Sequence, residues 1–89
     1  MNSRNEFKPG DIVTSVSGRD KNRYYIVMSA GERIVEICDG DLHKVDKIKK
    51  KNVKHIKNVG SFSEIIGEKI LKGEKISDSE IRKILSAFK

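Results

Sequence analysis

Phe7-Lys8-Pro9-Gly10-Asp11-Ile12-Val13-Thr14-Ser15-Val16-Ser17-Gly18-Arg19-Asp20-Lys21-Asn22-Arg23-Tyr24-Tyr25 reads as a loop, a short strand, a tight basic turn and the opening of a second strand. Pro fixes φ and Gly admits backbone angles that other residues resist, so Pro9-Gly10 punctuates the chain before the strand. Ile12–Val16 is rich in β-branched side chains, which suit a pleated surface better than a helix. Gly18 opens a turn that holds Arg19, Lys21 and Arg23 around Asp20 and Asn22. Asp and Asn bond to nearby backbone in such turns, and Asn tolerates positive φ.

Further along, Tyr24–Ser29 is an apolar run with no helix-starting cap before it, and it predicts the second strand. Ala30-Gly31-Glu32 reads as a hairpin turn. Arg33–Asp39 follows as the third strand, dominated by Ile34, Val35, Ile37 and Cys38, and Asp39-Gly40 is a strong turn signal. Leu42–Ile48 alternates as a fourth strand with one wet face would. Lys49–Lys51 then reads as a loop and Val53–Ile56 as a short fifth strand. Five short strands joined by small turns predict a compact SH3-like barrel over residues 7–59. The polar, aperiodic residues 1–6 are expected to form a flexible N-terminus.

After Asn58-Val59-Gly60 the period changes. Ser61 followed by Glu64 fits a capping box, Phe62, Ile65, Ile66 and Ile70 recur at helical spacing, and Gly73 is a natural stop. Ser77 with Glu80 repeats the cap, and Ile81, Ile84, Leu85 and Phe88 make one apolar stripe. Two helices are expected, over 62–72 and 78–88, forming a C-terminal appendage over 60–89. Each is too short to persist alone in water, so its stripe must find a surface. That surface is either the barrel, capped by a helical hairpin, or a protein partner docked on the second helix.

The formal net charge is +6, with charged and hydrophobic residues at 36% each. Such a chain makes one domain with a small core, lacks room for a large catalytic cleft, and favours an anionic partner. Residues 1–60 carry 13 Lys and Arg against 8 Asp and Glu, whereas residues 61–89 carry 6 against 5. The basic excess therefore belongs to the first part. Cys38 is the one cysteine, so no intramolecular disulfide forms, and it reads as a small buried hydrophobe. No apolar run is long enough to span a membrane and no signal core follows Met1, so a cytoplasmic location is expected.

Catalytic constellations are poorly supported. His43, His55 and Cys38 do not stand at zinc-ligand spacing, and no cofactor motif is present. Asp39 and Asp41 flank Gly40 and read as turn chemistry; with His43 they are the one acid–base candidate. The basic residues carry more. The first cluster is Arg19, Lys21, Asn22 and Arg23; the second is Lys44, Lys47, Lys49, Lys50, Lys51, Lys54 and His55, with His43 and Lys57 beside it. Lys meets phosphate as a point charge without demanding one orientation, which suits backbone contacts over base reading. No helix carries the positive charge, which leaves no obvious element for a DNA major groove. Structured RNA, read by shape and phosphates, is the expected partner.

The order Gly10-Asp11-Ile12-Val13, Gly18-Arg19-Asp20-Lys21-Asn22-Arg23, Tyr24-Tyr25-Ile26-Val27 resembles the KOW motif of ribosomal proteins and transcription elongation factors. Asn22 stands where that motif usually has Gly. Continuing through Asp39-Gly40-Asp41-Leu42-His43-Lys44-Val45 to His55, residues 7–57 resemble the fourteenth large-subunit ribosomal protein of archaea and eukaryotes. They resemble still more the small KOW-domain RNA-binding proteins of some Gram-positive bacteria. The resemblance implies an SH3-like barrel and puts the basic turn on an RNA-facing edge. The expectation is a mainly β protein with two helices that binds RNA, ribosomal RNA foremost, without enzymatic activity. Its free form is expected to be monomeric. The alternative is a protein-docking module that uses the C-terminal helices.

Overall fold

The computed structural model describes residues 7–18 and 21–88. Residues 1–6 and Arg19, for which a flexible start and an RNA contact were expected, lie outside them. Five strands are present: β1 (Asp11–Ser15), β2 (Tyr24–Ala30), β3 (Ile34–Cys38), β4 (Lys49–Asn52) and β5 (Ile56–Phe62). They form one antiparallel sheet in the order β4-β3-β2-β1-β5. Two helices follow, α1 (Glu64–Lys72) and α2 (Asp78–Leu85), the latter continued by a 3-10 turn at Ser86–Phe88. The first three strands start and end within a residue of their expected bounds.

The expected fourth strand, Leu42–Ile48, is not a strand. The chain there turns over Asp39–Lys44 and makes a 3-10 turn at Val45–Lys47. Val45 and Ile48 both reach the core from a spacing of three, which a turn provides and an extended strand does not. The Val45 amide is held by Asp78 Oδ1 at 2.7 Å. The lysines expected in a loop instead form β4, at the sheet edge, where Lys side chains discourage pairing with another chain. Val53–His55, expected within the fifth strand, is a 3-10 turn capped by the Asn52 side chain on the Lys54 amide at 3.0 Å. The strand itself begins at Ile56 and runs through Gly60 to Phe62, so the boundary expected at 59/60 falls inside it.

The sheet is open, with β4 and β5 as its edges, and is not closed into the expected barrel. It is nonetheless strongly curled. Four strand spacings of about 4.8 Å would hold the edges about 19 Å apart in a flat sheet. Asn52 on one edge and Ile56 on the other are joined by residues 53–55 alone, a connection reaching at most about 14 Å. Register shifts between Asp11 and Val13 and between Val27 and Ser29 add local twist.

Curling gives the sheet two apolar faces. Inside lie Val13, Tyr25, Val27, Val35, Ile37 and Ile56. Outside, Ile12, Ile26 and Cys38 pack with Ile66, Ile76, Ile81 and Leu85 from the helical region. Alternate residues of β2 serve alternate cores: Tyr24, Ile26 and Met28 the outer, Tyr25 and Val27 the inner. A strand covered on both faces has no wet side, which is why Tyr24–Met28 reads as an unbroken apolar run. Ile81 and Leu85 of the α2 stripe are therefore spent on the sheet, 0% and 1% exposed, while Ile84 and Phe88 stay half-buried beside them.

The helix ends follow local chemistry. Ser77 and Glu80 form the expected capping box, and Gly73 closes α1 in the left-handed region at φ 72°. The cap of α1 is Ser63, whose hydroxyl accepts from the Ile66 amide at 3.3 Å, rather than Ser61. The ladder explains the shift: Phe62 pairs with Asp11, which keeps Ser61 and Phe62 extended. Phe62 thus belongs to β5 and not to the α1 stripe. Lys69 of α1 and Glu80 of α2 meet at 2.6 Å. The hydrogen bond from Lys69, with a further one from the Ser77 backbone, holds the Glu80 carboxyl below its ordinary range.

Candidate nucleic-acid interface

The basic turn between β1 and β2 is built on the end of β1. The Ser15 amide donates to the Arg23 carbonyl at 3.2 Å and the Asn22 amide to the Ser15 carbonyl at 2.9 Å. Thr14 Oγ1 also donates to the Arg23 carbonyl, at 2.9 Å. Asn22 has φ 71°, alone at positive φ among the described non-glycine residues, a backbone conformation that Asn tolerates in turns. Lys21 and Asn22 are exposed. Arg23 is not a free cation: its Nη2 lies 3.8 Å from Oδ2 of Asp39, at the end of β3.

Asp39 itself is buried, and its Oδ1 accepts from the backbone amides of Asp41 and His43 at 3.0 and 2.9 Å. The carboxylate is occupied in shaping the turn, as Asx residues commonly are. His43 is occupied too, its ring tilted against Tyr25 with centroids 6.0 Å apart. The turn is docked on α2. Arg82 Nη1 donates to the Gly40 carbonyl at 2.6 Å, and a Cβ on Gly40 would lie 2.5 Å from the Asp78 carbonyl oxygen.

Strand pairing gathers much of the basic chemistry. Ile26 of β2 faces Cys38 of β3, and Ile37 faces Lys49 of β4. The start of β2, the end of β3 and the start of β4 therefore share one end of the sheet. That end carries Lys21 and Arg23 before β2, the His43–Lys47 segment after β3, and Lys49. Lys44 and Lys47 are exposed there. His55 joins from the far side, its carbonyl accepting from the Val16 amide at 2.9 Å, and Lys54 precedes it. Lys50 and Lys51 lie further along β4. Lys50 is exposed and pairs with Glu36; Lys51 pairs with Val35, and with Lys49 it is half-buried on the side of the inner core. Lys50 and Lys51 are thus farther from the basic turn than a single lysine loop would place them.

Two features were not readable as parts of a site. Phe88 packs on Tyr24, ring centroids 5.9 Å apart and tilted by 36°. With Asn22, Arg23 and Asp39 these rings line a cavity of about 440 Å³. In the sequence, Phe88 is only the last member of a helical stripe. Elsewhere, Pro9, Phe62, Ile70 and Leu71 border a second, more apolar cavity of about 290 Å³ beside α1.

Cys38 is fully buried between the sheet and α2. Burial first, then the charges of Asp39 and Asp78, push its thiol up to about 12. Among the described residues, no group of three His, Cys, Asp or Glu side chains is gathered as a metal ion would require. Among the same residues no helix is long and apolar enough to cross a membrane. Compared with known protein families and with curated proteins, the chain matches no family and no curated sequence.

Proposed function

We propose that this chain is a non-enzymatic, cytoplasmic RNA-binding protein that grips structured RNA through its basic rim. What supports this is the convergence of two sequence-distant basic segments, Lys21–Arg23 and Lys44–Lys49, at one end of a single sheet. A lysine run on its own is as well explained by a protected sheet edge; a second basic segment from another turn meeting it at one end is not. The resemblance to KOW proteins favours ribosomal RNA as the target. Binding is electrostatic: each phosphate contact releases condensed counterions, so affinity falls linearly with salt on logarithmic axes. Partly neutralised Arg23 orients the turn, while Lys21, Lys44 and Lys47 supply the open charge.

The test is a titration of a folded RNA hairpin by fluorescence anisotropy across a salt series. Lys21→Ala with Lys44→Ala should weaken binding and flatten the slope by about 0.9 per lost contact. An unchanged slope removes this rim from the interface. Association with a cellular partner that survives high salt and is lost on Leu71→Asp would instead favour protein docking, through the apolar flank of α1.

A further inference from the structure

The cavity lined by Asn22, Arg23, Tyr24, Asp39 and Phe88 has walls of two kinds. Tyr24 and Phe88 are half-buried aromatic rings, a surface on which any base can stack because every base has a π-face. Facing them are a guanidinium, a primary amide and a buried carboxylate. We propose that this cavity receives one unpaired RNA nucleobase, leaving its phosphate outside against Lys21 and Arg23. The proposal rests on the RNA reading above and deepens it, from a charged rim to a rim with one recess roomy enough for a base.

Charge sets the orientation. A buried carboxylate repels a phosphate. Oδ1 of Asp39 is taken by two backbone amides, but Oδ2, 3.8 Å from Arg23, keeps lone pairs that accept from the N–H groups of a base edge. The base therefore enters and the phosphate stays on the cationic side. At about 440 Å³ the recess is of the size that small ligands occupy, about 300–1,000 Å³. Geometry sets the selectivity. A base inside a duplex is covered by its neighbours on both faces, whereas a base in a loop or bulge can leave the stack and enter. The recess is also pre-shaped. The Asn22 backbone is tied to Ser15, Arg23 to Thr14 and Asp39, and Asp39 to two backbone amides. Little ordering remains for the bound state.

The full chain is titrated with a short labelled single-stranded RNA and, in parallel, with a blunt RNA duplex of equal length. Phe88→Leu keeps apolar volume and removes the ring. It should weaken single-strand binding roughly tenfold, change duplex binding less than about twofold, and leave the salt slope intact. Equal losses on both RNAs, or no loss on either, overturn the proposal while the rim reading stands. Failure of the unaltered protein to bind either RNA sinks the rim reading itself, and this inference with it. A second measurement does not depend on the variant's stability: single-stranded RNA carrying 4-thiouridine is photocrosslinked to the unaltered protein and the adducts are mapped by mass spectrometry. Adducts should fall on the peptides holding Tyr24 or Phe88; adducts confined to residues 44–54 overturn the proposal.

Discussion

Asn22, Gly40 and Cys38 each meet a demand that the local sequence only partly announces. Asn22 sits at φ 71°, where Gly is at ease and a β-branched residue is strained. Asn22→Gly should leave stability nearly unchanged, whereas Asn22→Val should cost about 1–3 kcal/mol by urea denaturation and weaken RNA binding as the turn relaxes. Gly40 combines φ 73° with a Cβ position 2.5 Å from a backbone oxygen of α2. Gly40→Ala should therefore lower the melting temperature more than Ala at Gly18, which also has positive φ but open space beside it. Cys38 governs alkaline behaviour. Its folded thiol titrates near about 12 against an ordinary 9.0, so above about pH 9 the unfolded chain releases a proton that the folded chain keeps. The folded state then binds more protons, and stability falls as pH rises through that window. Denaturation followed from pH 8 upward should show this component in the native protein and not in Cys38→Ala, a comparison that cancels the other titrating groups.

Among the elements, those with local signals were legible and those set by neighbours were not. The capping box of α2 lies within four residues, and Ser77→Ala should cost about 1 kcal/mol, read as a shift in denaturation midpoint. The rival cap at Ser61 has the same local signature and fails because Phe62 is drawn into a ladder with Asp11. Strand β4 escaped notice since Lys49-Lys50-Lys51-Asn52 offers no apolar alternation; only the register against Ile34–Ile37 makes it a strand. The segment Leu42–Ile48 misled in the opposite direction, its alternation overridden by the Asp78 hold on Val45. The basic residues of the rim were all named from sequence, but not their layout. Strand register decides that layout, and no run of lysines encodes it. The approach of Phe88 to Tyr24 joins positions 64 residues apart in a chain of 89 and has no local signature at all.

Taken whole, the molecule is a curled sheet sandwiched between an inner core of its own side chains and an outer layer of two helices. Ile81 and Leu85 are buried as fully as any strand residue, so the helical segment is part of the fold's stability and not an attachment to it. Ile81→Ala should lower unfolding free energy by about 2–5 kcal/mol, measured in urea. Removing residues 61–89 should leave Ile12, Ile26 and Cys38 facing water, giving a chain that aggregates or fails to show a cooperative transition.

That arrangement has a consequence for how the protein is born. A chain leaves the ribosome from its first residue onward, and the sheet's last strand ends at Phe62. The nascent sheet must therefore wait with one apolar face uncovered until Leu85 emerges. The aromatic wall beside the basic turn arrives later still, with Phe88. The recess proposed to hold a base is thus completed only when Phe88 has emerged, after the positive rim already exists.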